Sequence, residues 1–116
     1  MSKFSLKLKS EVVTIETKDG TEEDYEIVEM SGEGLEEYFN GARDKIIMDN
    51  GKVVGMKDFT GLYTSLLRIT LKGPDGKFVP LTQLKAWPAS VQKGLFEIAQ
   101  KLNGLDKDSV EEAKND

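Results

Sequence analysis

Residues 81–105, LTQLKAWPASVQKGLFEIAQKLNGL, decide the fold of this chain. Pro88 suits the first turn of a helix, where its missing N–H costs nothing, and Gly104 suits the left-handed position just past a helix end. Between them Val91, Leu95, Ile98 and Leu102 recur at helical spacing, with Phe96 and Ala99 widening the stripe. Gln92, Lys93, Glu97, Gln100 and Lys101 fill the other face. The pattern predicts an amphipathic helix with both ends marked. Asn103-Gly104-Leu105 then reads as a Schellman stop, in which Leu105 folds back on the last turn. Trp87, the single tryptophan, precedes Pro88 and so falls at the junction of two helices, where its indole can bridge their stripes.

The rest of the chain surrounds this element. At 116 residues the length suits one domain with one core, built without disulfides because cysteine is absent. Histidine is absent too, which removes the commonest metal ligand and the usual general base, so triad hydrolases and most zinc sites are excluded in their common forms. No stretch reads as a signal peptide or reaches the roughly 20 apolar residues of a membrane helix, so a cytoplasmic protein that spans no membrane is expected. Net charge is −5, and residues 1–60 hold 14 acids against 8 bases while residues 61–116 hold 7 against 8. That field disfavours nucleic acid as a partner.

Phe4, Leu6 and Leu8 alternate with Ser5, Lys7 and Lys9, a period of two that predicts a strand with one buried face, continued by Val12, Val13 and Ile15. Lys18-Asp19-Gly20 signals a turn, and Tyr25, Ile27 and Val28 mark a second strand. Ser31 is a candidate N-cap for a helix over residues 32–45, with Leu35, Tyr38, Phe39, Ala42 and Ile46 as its stripe. Asp49-Asn50-Gly51 between apolar runs predicts a short hairpin or an ordered loop. Residues 58–70, DFTGLYTSLLRIT, fit either a helix or a strand; the apolar positions 59, 62, 66 and 69 favour the helix, and the threonines weaken it. Gly73-Pro74-Asp75-Gly76 is a turn, after which Phe78-Val79-Pro80 runs extended. From Asp106 onward charge replaces periodicity, which predicts a frayed or disordered tail over residues 106–116. The expected fold is α+β: two to four N-terminal antiparallel strands packed with about three helices, the last near residues 88–104, in a single domain over residues 1–105.

Chemistry-bearing motifs are weak. The acids Glu22, Glu23 and Asp24 are consecutive, so they cannot converge on one metal ion, and Gly32-Glu33-Gly34 lacks the third glycine of a dinucleotide fingerprint. No spacing brings two carboxylates into one cleft. No catalytic, cofactor-binding or metal-binding residue is expected, and the chain reads as non-enzymatic.

From Asp58-Phe59 through Leu66-Leu67, the Pro-Asp-Gly-Lys turn, Trp87-Pro88-Ala89-Ser90-Val91, Leu95-Phe96 and Leu102-Asn103-Gly104-Leu105, the order of residues resembles that of tail assembly chaperones of long-tailed bacteriophages and prophages. The resemblance implies a protein without catalytic residues or cofactors that self-associates and coats the helical tape-measure protein before tail-tube subunits assemble around it. It also implies a short form that precedes a ribosomal frameshift, and Ala113-Lys114-Asn115 can be encoded with the slippery heptamer A-AAA-AAC. Candidate partner-binding residues are Trp87, Val91, Leu95, Phe96 and Leu102, with Tyr38 and Phe39 second; burial in the chain's own core is the competing role for each. The alternatives are a structural virion subunit of the tail-tube or head-tail connector type, for which strand pairing over residues 60–71 would speak, and a small peptide-binding adaptor.

Overall fold

The computed structural model describes residues 2–43, 46–50, 52–56 and 61–105. The expected tail, the frameshift residues Ala113 to Asn115, and Asp58-Phe59 lie outside them. The fold is α+β. In order, the chain forms strands β1 (Ser10–Glu16) and β2 (Glu22–Val28), helix α1 (Gly32–Arg43), strands β3 (Ile46–Asp49) and β4 (Lys52–Met56), helix α2 (Thr64–Leu67), strand β5 (Leu71–Lys72), and helices α3 (Leu81–Ala86) and α4 (Ala89–Leu102). β1, β2 and β5 make an antiparallel sheet with β2 in the centre, and β3 and β4 pair as a separate hairpin.

The β1–β2 register follows from the turn between them. Thr17 N–H donates to the Thr21 carbonyl at 2.7 Å, Gly20 takes the left-handed φ of 87° that its missing Cβ permits, and Asp19 accepts from the Thr17 hydroxyl and the Thr21 N–H. These donors lower the Asp19 pKa from 3.8 to about 2. The register places Val13 opposite Tyr25 and Glu11 opposite Ile27, so the odd positions of both strands face the helices and the even positions face away.

On the helix side Ile27, Leu66, Leu67, Leu71 and Leu84 are fully buried, and Tyr25, Val79, Leu95, Phe96 and Ala99 complete the core. Each of the large aliphatic side chains contributes about 1.5–3 kcal/mol by leaving water. α4 holds this cluster because its stripe meets α2 on one side and β2 on the other. Its end is the expected Schellman motif: Leu105 N–H donates to the Gln100 carbonyl at 2.8 Å, Gly104 N–H to Lys101 at 3.2 Å, and Gly104 has φ 69°. Asn103 adds a long-range tie that no spacing announces. Its Oδ1 accepts from Met30 N–H at 2.7 Å, just past β2, while its Nδ2 donates to the Ala99 carbonyl at 2.8 Å.

Three expectations shift. The strand predicted from Phe4 begins only at Ser10, and Phe4 and Leu6 are 90% and 102% exposed. β2 ends at Val28 and the chain turns into α1 at Gly32, so the ladder has no partner backbone beyond the bond from Glu29 N–H to Lys9. The first helix stops at Arg43, and Ile46, expected in its stripe, opens β3. Its start is as expected, with the Ser31 hydroxyl accepting from Gly34 N–H at 3.2 Å. Over residues 58–70 the helical reading holds for a single turn, Thr64–Leu67. There the Thr70 hydroxyl returns to the Leu66 carbonyl at 2.8 Å, and the Thr70 carbonyl accepts from Val28 N–H at 2.8 Å, drawing the backbone out of the helix and onto the sheet.

Two outcomes test this description. Asn103→Ala leaves the half-buried Met30 N–H without its partner, while the Ala99 carbonyl keeps the backbone N–H of residue 103, and is expected to destabilise the fold by about 1–3 kcal/mol in urea unfolding. Because the Asp19 pKa is depressed, its contribution to stability is present above about pH 4 and is lost as pH falls toward 2. Titration of the Asp19 carboxyl carbon by NMR is expected to give a midpoint near 2, and Thr17→Val to raise it.

Candidate functional site

The residues expected to meet a partner divide by burial. Leu95 and Phe96 are 6% and 8% exposed, and the Phe96 ring lies 5.1 Å from that of Tyr63, tilted against it. Val91, Leu102 and Trp87 are half-buried and pack on the same core. Trp87 sits between α3 and α4 with its ring edge-on to Tyr25, centroids 5.6 Å apart and planes at 87°. The indole thus bridges the helix junction to the sheet. Gln92, read from its spacing as a solvent-face residue, donates through Nε2 to the carbonyls of Leu84 and Trp87 at 2.9 and 3.0 Å and closes the end of α3. The α4 stripe is therefore occupied by the chain's own core along most of its length.

Tyr38 and Phe39 separate as neighbours on a helix do. Tyr38 turns toward the core, and burial pushes its phenol pKa up; Phe39 stays 52% exposed with its ring 5.9 Å from that of Tyr38. Of the seven candidates, Phe39 alone is an exposed large apolar side chain.

Among the described residues a further open apolar surface lies on the face of the sheet turned away from the helices. A cleft of about 450 Å³ lies there, with Val28, Met30, Ile69 and Phe78 as its apolar lining and Leu8 at its rim. Glu26, Glu29 and Lys72 supply its charge, and Ser31 and Gly34 at the start of α1 close one end. Phe78 is 47% exposed, with the Lys72 ammonium 5.5 Å above its ring. Val12, 63% exposed, continues the same face across β1, because even positions along β1 and β2 share it. The signal for this surface was present as the even-numbered apolar residues Leu8, Val12 and Val28. Alternation alone cannot say which face of a strand the helices will cover.

The cleft gathers two carboxylates, Glu26 and Glu29, which no spacing in the sequence announces. Among the described residues no three acidic side chains gather around a point that could hold a metal ion. The cleft carries two carboxylates and one ammonium around an apolar floor, a lining suited to receiving apolar side chains. Among the described residues no helix is long and apolar enough to cross a membrane.

A paired substitution separates core from surface. Phe96→Ala is expected to cost about 3–5 kcal/mol, the usual cost of emptying a buried aromatic site. Phe39→Ala is expected to change stability by about 0.5 kcal/mol or less, as exposed positions do. Chemical denaturation of both variants checks the assignment. No known protein family, no curated protein and no solved structure matches this chain.

Proposed function

We propose that this chain is a tail assembly chaperone of the long-tailed bacteriophage type, which self-associates and holds the helical tape-measure protein soluble until tail-tube subunits enclose it. The observation that carries this reading is the open apolar face of the sheet, left exposed by a chain whose core is already complete without it. Val12 and Phe78 stand 63% and 47% exposed there, around a cleft floored by Val28, Met30 and Ile69. A protein that must shield an amphipathic helix from aggregation needs an apolar, shape-adaptable groove rather than a catalytic cleft, and methionine is well suited to such a lining. The resemblance along residues 58–105 supports the same reading through Trp87-Pro88 and Leu102-Asn103-Gly104-Leu105, which build the helix junction and the helix stop. Its role is then architectural: that segment supplies the core on which the exposed sheet is mounted.

The virion-subunit alternative is less well supported. It called for strand pairing across residues 60–71; among the described residues 61–71 the backbone instead forms the α2 turn, and Leu71 begins a strand. Its remaining attraction is the edge of β1, which among the described residues pairs with no second strand.

The test is co-expression with a tape-measure protein encoded directly downstream. The wild-type chain is expected to keep that partner in the soluble fraction, and Phe78→Asp, which places a charge on the cleft wall without entering the core, to lose at least half of that effect. A tape-measure protein that precipitates equally with and without the wild-type chain sinks the reading; full retention by a folded Phe78→Asp variant removes the cleft as the contact. Leu95→Asp is not a usable probe, because a carboxylate in the core would unfold the chain.

A further inference from the structure

The segment before β1 and the free edge of β1 are complementary to one another, but not within one chain. Residues 4–8 alternate apolar and polar as a strand does, yet Phe4, Leu6 and Leu8 are 90%, 102% and 52% exposed. The segment carries Lys3, Lys7 and Lys9 with no acid among residues 2–9, whereas β1 contributes Glu11 and Glu16. Among the described residues β1 pairs only with β2. The hydrogen bonds from Glu29 N–H to Lys9 and from Thr17 N–H to Thr21 fix the phase of that ladder. The odd residues of β1 therefore bond to β2, and the N–H and C=O groups of Ser10, Val12, Thr14 and Glu16 point to the open edge. This edge is seven residues long and has no proline and no register shift, two of the devices by which monomeric proteins blunt an edge; it carries charge at Glu11 and Glu16.

We propose that two copies of this chain pair edge to edge, antiparallel, about a dyad at Ser10, so that residues 4–8 of each copy extend the sheet of the other along β1. The inference deepens the chaperone reading, from which it takes only that the chain self-associates. Charge and pleat select the register. A dyad between two residues would set even positions against odd ones and turn the apolar face of one copy toward the core side of the other. A dyad at Lys9 sets Lys9 against Lys9, one at Glu11 sets Glu11 against Glu11, and one at Leu8 sets Lys7 against Lys9. A dyad at Ser10 sets Lys9 against Glu11 of the second copy twice over, and Leu8 against Val12 twice over, which are the favourable cross-strand combinations. Ser10 then bonds to Ser10 through groups that already point outward. The bend at Lys7, where its N–H donates to the Ser5 hydroxyl at 3.2 Å, straightens on pairing and exchanges that local bond for ladder bonds.

The test is sedimentation equilibrium of the full chain from low micromolar to millimolar concentration, with far-UV circular dichroism to verify folding. The wild type is expected to form a dimer. Val12→Pro removes an N–H that faces the open edge and not β2, so the fold is expected to persist while dimer affinity falls by about tenfold or more. Lys9→Glu and Glu11→Lys are each expected to weaken self-association by a similar factor, because each sets like charges opposite each other. Mixing these two variants restores opposite charges at both contacts and is expected to recover a heterodimer of near wild-type affinity. A wild type that stays monomeric throughout overturns the proposal. So does a dimer whose affinity is unchanged in the folded charge variants, or a mixture no more associated than its components. Loss of tape-measure solubility with this dimer intact counts against the chaperone reading and leaves the pairing standing.

Discussion

The side-chain amide of Asn103 joins the two halves of this molecule. Through one oxygen it receives the Met30 N–H at the exit of β2, and through its nitrogen it closes the last turn of α4 at Ala99. The Met30 N–H is half-buried backbone that would otherwise lack a partner, and the Ala99 carbonyl takes the amide in addition to the Asn103 backbone N–H, so the side chain ties the sheet's outgoing strand to the end of the principal core helix. The Schellman turn at Gly104 holds Asn103 in place, and Leu105 packs back onto the core behind it. Once these ends are fixed, Ile27 and Tyr25 on β2 face Leu95, Phe96 and Ala99 on α4 across a single layer of side chains. The α2 turn enters the same layer through Leu66 and Leu67.

That arrangement explains why the α4 stripe is occupied. A chain with one three-stranded sheet and short helices has few large apolar residues to cover the helix-facing side, and α4 supplies most of them. Trp87, Val91, Leu95, Phe96 and Leu102 are all drawn inward. Among the described residues the opposite face of the sheet receives the start of α1 and the returning segment at Phe78, so Val28 is covered while Val12, Leu8 and Phe78 are not.

Features fixed by local rules were legible in the sequence. The Pro88 entry, the Gly104 stop, the Ser31 cap, the Gly20 turn and the Gly73 to Gly76 turn each depend on a backbone preference carried by the residue itself. What required long-range geometry was not legible. The alternation at Phe4, Leu6 and Leu8 is a true strand pattern, but whether it finds a partner depends on where β2 ends, which is set by Ser31 twenty-odd residues later. The amides of Gln92 and Asn103 look like surface residues by spacing, and only the packing of α3 and β2 against α4 brings carbonyls and an N–H within their reach. Spacing alone does not separate burial of Leu95 and Phe96 from exposure, since a helical stripe looks the same whether it meets its own sheet or another protein.

The two open features of the molecule reinforce each other physically. Pairing about Ser10 would place the even-numbered residues of both copies on one continuous face, because antiparallel strands in an even register keep their pleats in step. Leu6, Leu8 and Val12 of each copy would then flank the cleft floored by Val28, Met30 and Ile69, joining two short apolar patches into one long strip. Each patch alone would offer a long flexible helix little apolar contact against the cost of ordering it. Two patches related by such a dyad would meet the same helix in succession, and the second contact would then be made at the high effective concentration created by the first. On the proposed reading, a small chain with a completed core would in this way bind a much longer apolar partner without having a large groove of its own.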